Sequence, residues 1–279
     1  MLCAITGSRG YLGQRLVLAI KEHGWLVREV NRACDVSTSK ARVCFQLGHT
    51  VDDNLLNGVD VLVHCAYDYS LVTWRDIYAT NVEGTMLLLE SAKRAEVKCI
   101  VFISSITAFK GCRSLYGKAK LKCESLVQEQ NGIVIRPGLI FGEGGGTVLR
   151  SMESWVQKLP IVPFISSKSD LYLCHIDDLS SLIIEIIAKN KSGNRVITAV
   201  ESTPYKFKDV IRILQKKHNR FRPLLPVPWQ LPWLFIKVLN SLGIQTSLRS
   251  DGLIGFVYHN KNQNLSALAS YQTIFRSFK

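Results

Sequence analysis

The stretch Leu2-Cys-Ala-Ile-Thr-Gly-Ser-Arg-Gly-Tyr-Leu-Gly13 restricts this chain more than any other. Leu2 to Ile5 is a short apolar run that reads as a buried strand. Gly7, Gly10 and Gly13 follow at three-residue spacing. Leu12, Leu16, Val17 and Ile20 then share one face of a helix that stops at Gly24. Glycine in such a turn allows a tight bend and the close approach of another backbone or of a ligand. The free N–H groups and positive dipole end of the helix that follows suit a pyrophosphate. An ordinary strand–helix turn is the plain alternative. Three glycines in this context favour a dinucleotide.

The rest of the chain repeats the alternation. Strands are expected over Trp25–Val30, Asp60–His64, Cys99–Ile103, Gly132–Arg136 and Val196–Val200. Helices are expected over 73–95, 114–130 and Asp178–Lys189. Alternating strands and helices predict an α/β fold, a Rossmann-type doubly wound parallel sheet covered on both faces. Past Pro137 the rhythm changes, with a loose loop at Gly142–Gly146 and many prolines between Pro204 and Pro232. Residues 1–142 with about 171–200 are therefore assigned to the dinucleotide-binding domain. Residues from about 143 to 170 and 201–279 are assigned to a smaller substrate-binding region. The apolar run Gln230–Ile244 is too short and interrupted to span a bilayer and reads as a helix of that region.

Length and composition fit a soluble globular protein: 279 residues, 47% hydrophobic and 20% charged. The net charge of +13 suits nucleic acid, anionic lipid, polyanionic small molecules or merely a solvated face. The basic residues are dispersed, and the densest cluster, 215–222, is short. No nucleic-acid partner and no stable membrane insertion are expected. The eight cysteines have no metal-type spacing, so no metal is expected. With no signal peptide, the chain is expected in the reducing cytoplasm.

Tyr116 and Lys120 lie four residues apart in the helix expected over 114–130, hence on one face. A phenol of ordinary pKa is a poor base at neutral pH, and a nearby ammonium would lower that value. A surface tyrosine on a charged helix is the competing reading. Ser105 ends a strand eleven residues earlier, and in a parallel sheet the strand ends converge on the binding crevice. A hydroxyl and a phenol can therefore share one substrate oxygen. At the end of the second strand, where a carboxylate would hold a ribose diol, stand Asn31 and Arg32. With Arg9 in the glycine turn, this favours NADP over NAD, because a 2′-phosphate meets cations rather than an anion.

These elements resemble the short-chain dehydrogenase/reductase superfamily in its extended or atypical branch, the NAD-dependent epimerase/dehydratases. The resemblance rests on seven segments in order. They are Thr6–Gly13, Asp60–Ala66, Asn81-Val-Glu-Gly-Thr85, Phe102-Ile-Ser-Ser105, Tyr116-Gly-Lys-Ala-Lys120, Arg136–Gly142 and His175-Ile-Asp-Asp-Leu179. It implies Tyr116 as acid/base, Lys120 on the nicotinamide ribose lowering the tyrosine's pKa, and Ser105 on the substrate oxygen. It implies Asn81 supporting the lysine through water. Gly7, Arg9, Gly10, Tyr11, Leu12, Gly13, Asn31, Arg32, Ala66, Tyr67, Ser104, Lys120, Pro137 and Leu139 would line the cofactor. Asp177 is expected to be structural, holding a loop or capping a helix, and His64 and His175 to be structural as well. Departures are Asn31, His49 in the third-strand loop, and the short gap between Ser105 and Tyr116.

The function expected first is an epimerase, dehydratase or reductase of a nucleotide-linked sugar. An NADP-dependent reductase or dehydrogenase of a small carbonyl or alcohol is the alternative, suited to the apolar 223–244 stretch. A non-catalytic dinucleotide-binding protein comes last, since a pure binder has little use for the phenol. By analogy, a homodimer through the 73–95 and 114–130 helices is expected.

Overall fold

The chain folds by the alternation expected of it. A computed structural model describes residues 1–32, 42–165, 170–189, 193, 195–241, 249–258, 260 and 263–279. β1 (Leu2–Thr6) leads to α1 (Tyr11–Glu22), β2 (Leu26–Asn31), β3 (Arg42–Cys44) and β4 (Val61–His64). Next come α2 (Trp74–Ile77), a π-helical segment (Tyr78–Glu83), α3 (Gly84–Arg94), β5 (Cys99–Ile103), α4 (Leu115–Glu129) and β6 (Ile133–Pro137). β7 (Leu139–Phe141), α5 (Thr147–Lys158), β8 (Val162–Ile165), β9 (Asp170–Leu171), β10 (Leu173–His175), α6 (Ile176–Ala188) and β11 (Arg195–Ala199) follow. The last elements are β12 (Tyr205–Lys206), α7 (Phe207–Lys217), β13 (Leu224–Val227), α8 (Gln230–Ser241) and α9 (Ser250–Val257).

Seven of these strands form one sheet in the order β11-β6-β5-β4-β1-β2-β3, every neighbouring pair parallel. β4 and β5 are buried at every position, as a sheet covered on both faces requires. The winding reverses between β1 and β4. A crevice therefore opens beyond their C-terminal ends, which is where the glycine turn and the loop after β4 lie.

Three apolar clusters hold the layers. Leu16, Ile20, Leu182 and Ile183 of α1 and α6 meet Ile5, Val63 and Val101 on one face of the sheet. Leu88, Leu89, Cys123 and Val127 of α3 and α4 meet Leu62, Phe102 and Val134 on the other. Met152, Val156, Val162, Phe207, Ile211 and Leu214 form a third cluster around α5, β8 and α7.

Four features depart from the expected pattern. The helix expected over 73–95 is interrupted by the π-helical turn that carries Asn81. The short strand β3 has too few residues for a periodic signal. The end of the chain returns from the smaller region to α6. There Phe275 enters the first core, Arg276 grips Asp178 with contacts of 2.6 and 2.9 Å, and Glu185 accepts from Gln272 N at 2.8 Å. Finally, Cys44 is disulfide-bonded, while Cys3, Cys65, Cys99, Cys112, Cys123 and Cys174 are free. Of the apolar run expected as one helix to Ile244, α8 forms the described part and 242–244 lie outside the described residues. Among the described residues no helix is long and apolar enough to cross a membrane.

Candidate active site

The glycine turn is packed backbone on backbone. Gly7 has φ +69°, and a Cβ there would stand 3.0 Å from Ala66 Cα. A Cβ on Gly13 would stand 2.2 Å from the Gly7 carbonyl oxygen. Gly10 N donates to Gly7 O at 2.9 Å, and Gln14 N then donates to Gly10 O. α1 thus begins at Tyr11 and Leu12 with no capping side chain and no acidic residue in its first turn. That end is open to an anion, so the residues present fit a dinucleotide pyrophosphate. Thr6 Oγ1 receives Cys65 N and Ala66 N at 3.2 Å each, which ties the turn to the loop after β4.

Asn31 has a structural task beside its expected one. Its Oδ1 accepts from Ser8 Oγ at 2.8 Å and Arg9 N at 3.1 Å, so the carboxamide braces the turn. Arg9 is exposed, and Arg32 is exposed too, 3.7 Å from Asp68. The Tyr11 ring lies under the Gly142–Gly146 loop, and among the described residues its buried hydroxyl has no hydrogen-bond partner.

The structure brings Tyr116, Ser105 and Lys120 to one place. Ser114 caps α4 by accepting from Gly117 N at 3.1 Å, which places Tyr116 in the first turn and Lys120 one turn on. Lys120 is buried, and its ammonium donates to Ile103 O at 2.7 Å. It stands 4.6 Å from the Phe102 ring and 5.0 Å from the Tyr67 ring. Burial pushes its pKa down to about 8. The Tyr116 ring meets Tyr67 edge-on at 4.9 Å and Tyr69 at 5.6 Å, and its hydroxyl lies 3.4 Å from that of Tyr69.

This surround corrects one expectation. Desolvation, reinforced by Tyr69 and Tyr67, pushes the Tyr116 phenol well above its ordinary pKa, and only a hydrogen bond from Ser105 opposes it. The Lys120 ammonium lies beneath the Phe102 and Tyr67 rings and donates to the Ile103 carbonyl oxygen, 6.0 Å from the Tyr116 ring centre. At neutral pH the phenol holds its proton and is ready to donate it.

Other expected positions divide. Ser105 Oγ accepts from Thr107 N and Thr107 Oγ1, at 3.2 and 2.9 Å, and faces the phenol. Ser104, its neighbour, points the opposite way, as alternation along a strand requires. Its hydroxyl donates to Glu124 at 2.5 Å, in a buried network completed by Arg136, so it does not line the crevice. Asn81 accepts from Asp68 N at 2.7 Å and donates to Asp68 O at 3.3 Å. Its side chain thus fixes the loop bearing Tyr67 and Tyr69, and among the described residues it makes no hydrogen bond to Lys120. Pro137 ends β6, where its carbonyl accepts from Ile106 N at 3.1 Å beside Ser105. Leu139 instead packs against the third core. His64 is neutral, held between Thr6 at 2.7 Å and Thr85 at 3.1 Å, with burial first and Lys120 second pushing its pKa down to about 3. The cap of α6 is His175, accepting from Asp177 N; Asp177 itself pairs with Arg15 at 2.5 Å.

Three residues at the site carry no local sequence signal or only a faint one. Tyr69 is an aromatic in a loop at a strand's C-terminal end, a place where the parallel-sheet rule directs attention. Asp251, in α9, accepts from Leu115 N at 2.7 Å and Tyr116 N at 2.9 Å. Arg249, just before it, donates to the carbonyls of Tyr69 and Leu71. Their partners lie more than a hundred residues away, beyond any periodicity.

Strand order, glycine turn and the Ser105–Tyr116–Lys120 set define a dinucleotide-dependent enzyme of the short-chain dehydrogenase/reductase type. Residues 3–199 match the model of the NAD dependent epimerase/dehydratase family, and the chain belongs to that family. It is 25% identical over 217 residues to a ceramide reductase of Caulobacter vibrioides, a match covering 75% of this chain and 68% of that protein. It is 26% identical over 199 residues to a 3 beta-hydroxysteroid dehydrogenase/Delta 5-->4-isomerase of Mycobacterium tuberculosis. That match covers 59% of this chain and about half of the dehydrogenase, 54%. Among solved structures, UDP-glucuronic acid 4-epimerase from Bacillus cereus, in complex with NAD, superimposes with a TM-score of 0.71 at 15% identity, covering 92% of this chain and 97% of that one. The family and these relatives support a nicotinamide dinucleotide as cofactor.

Proposed function

We propose that this protein is a nicotinamide-dependent reductase or dehydrogenase of an apolar carbonyl or alcohol, with Tyr116 as its proton donor and acceptor. The observation that carries this reading is the setting of the phenol. It is held protonated between the Tyr67 and Tyr69 rings, with Ser105 as hydrogen-bond partner. A carbonyl oxygen placed there receives a hydrogen bond from Ser105 and a proton from Tyr116 as it gains negative charge. The bound nicotinamide supplies the hydride, or accepts it in the reverse direction. Arg249, the cation at the mouth of this aromatic wall, is committed to two backbone carbonyls and not to a diphosphate. The two sequence relatives are named for ceramide and steroid, both apolar.

The cofactor would be held by the backbone of Gly7, Arg9, Gly10, Tyr11, Leu12 and Gly13, by Ala66, Tyr67 and Pro137 along the crevice, and by Lys120. We take NADP as the preferred form, since no carboxylate stands at Asn31 and Arg9 and Arg32 are both exposed there. Residues from about 143 to 170 and 201–279 are proposed as the substrate region. A homodimer is proposed through α2–α3 and α4, where Trp74, Tyr78 and Met86 are exposed. Cytoplasmic action belongs to the same proposal; the six free thiols suit it, and the disulfide at Cys44 does not.

A nucleotide-linked sugar is the second reading. It is favoured by a cleft of about 450 Å³ lined by Lys208, Arg212 and Arg222, side chains suited to a diphosphate. Purified protein offered NADPH or NADH with a panel of apolar ketones and of nucleotide sugars separates the two. Net NADPH oxidation by the ketones, lost about 100-fold or more in Tyr116→Phe, is the expected result. Turnover of a nucleotide sugar with no net cofactor change would replace the first reading by the second. Activity unchanged in Tyr116→Phe would sink both, and a tenfold preference for NADH would reject NADP.

A further inference from the structure

We infer that α8, with the basic segment leading into it, docks this protein onto an anionic lipid surface. Leu231, Leu234, Phe235 and Val238 stand at i, i+3, i+4 and i+7 of α8, the spacing of a single helix face. Their side chains are 60, 54, 64 and 48% exposed, while Ile236 between them turns inward at 5%. Phe221 and Leu225, just upstream, are exposed as well. Large apolar residues gathered in this way mark a face that meets something other than water.

The charge of the stretch of chain that carries the stripe says what that is. From Ser202 to Ser250 the chain has nine Lys and Arg and one acidic residue, Asp209. This stretch alone carries eight of the thirteen net positive charges. Lys216, Arg220 and Lys237 are exposed. Lys237 lies within the stripe's own turns, its ammonium 4.9 Å over the Trp233 ring. α8 has no acidic residue at all.

An apolar stripe that carries a lysine in its own turns, within a strongly basic stretch of chain, matches a lipid interface, where acyl chains take the Leu and Phe side chains and anionic headgroups take the Lys and Arg. At twelve residues α8 is too short to cross a bilayer and would lie in the plane of the surface. A second copy of this chain fits less well. A twofold contact through this face would set one cationic segment against the other, with almost no carboxylate to offset it. The inference does not depend on which substrate the crevice takes, though an apolar one would be met at such a surface.

Flotation of the full-length protein with vesicles tests this. It should float with phosphatidylcholine vesicles that contain phosphatidylglycerol, stay behind with phosphatidylcholine alone, and be released by raised salt. Leu234→Asp combined with Phe235→Asp should weaken flotation about tenfold or more. Lys216→Glu combined with Arg220→Glu, both outside α8 and the glycine turn, should weaken it as well while leaving the melting temperature and NADPH binding unchanged. No flotation of the parent protein, or equal flotation with neutral vesicles, would overturn the inference. So would a dimer, seen by light scattering without lipid, that the Leu234/Phe235 variant converts to monomer.

Discussion

The Asp251 carboxylate accepts the backbone N–H of Tyr116 at 2.9 Å, across 135 residues of sequence. The same carboxylate takes Leu115 N, so α9 supplies an anion to the first turn of the helix that carries the phenol. Arg249, two residues before it, holds the loop of Tyr69, whose hydroxyl touches that of Tyr116. A three-residue stretch of the smaller region therefore sets both sides of the proton donor.

Asp251→Ala should lower kcat about tenfold, because a small displacement of the phenol costs more than the lost contact itself. KM for the cofactor should stay close to the parent value, since the glycine turn is untouched. Asp251→Asn, which keeps an acceptor, should recover part of the rate. Steady-state kinetics with melting curves checks this, and equal losses in kcat and in cofactor affinity would point to general loosening instead.

Lys120 makes stability and activity respond to pH in opposite directions. Its folded pKa, about 8, lies below its ordinary value of 10.5. Between those limits the unfolded chain binds more protons, so this group adds stability as pH rises through that window. Below pH 8 the folded protein bears the whole cost of the buried ammonium, about 3 kcal/mol. Urea unfolding of the ligand-free parent and of Lys120→Met should differ most near pH 7, with the gap closing towards about pH 10. The kcat/KM of the parent should fall as pH rises through about 8, where the free enzyme loses that cation, and Lys120→Arg should move this limb upward.

Much of this site could be read from the residues. The strand–turn–helix at Leu2–Glu22 announced itself because three glycines sit where a continuous apolar run gives way to period 3.6. Tyr116 and Lys120 share a face because α4 is a regular helix. What escaped depends on distance or on very short elements. Ser104 and Ser105 are alike in sequence, yet strand alternation sends one to Glu124 and the other to the phenol. The direction of the Tyr116 pKa shift is set by burial first and reinforced by Tyr69 and Tyr67, delivered by a loop from another strand. The strands β7 to β10, two to four residues long, leave no periodic trace.

Gly13→Ala should damage fold and cofactor binding together. The new methyl would fall 2.2 Å from the Gly7 carbonyl oxygen and 2.7 Å from Ser8 Cα, both backbone atoms that cannot swing aside. A loss of about 1–3 kcal/mol is expected, along with weaker NADPH binding than in a surface variant of equal stability. Thermal unfolding and fluorescence titration measure the two effects.

Glu124→Ala should be costlier. The carboxylate is buried and receives Ser104 Oγ at 2.5 Å and Arg136 at 2.8 and 2.5 Å. Removing it strands a half-buried guanidinium, at about 3–5 kcal/mol. Replacing Glu124 and Arg136 together by apolar residues should recover much of that loss in chemical denaturation.

The return of the chain to α6 has a consequence for biosynthesis. Ile5 and Val63, made early, share a core with Phe275, and Asp178 waits for Arg276. During translation the first face of the sheet stays partly open until residues 275 and 276 leave the ribosome. The seven strands can pair as they emerge, but the layer that α1 and α6 form over them closes late, and until then its apolar surface is available to chaperones.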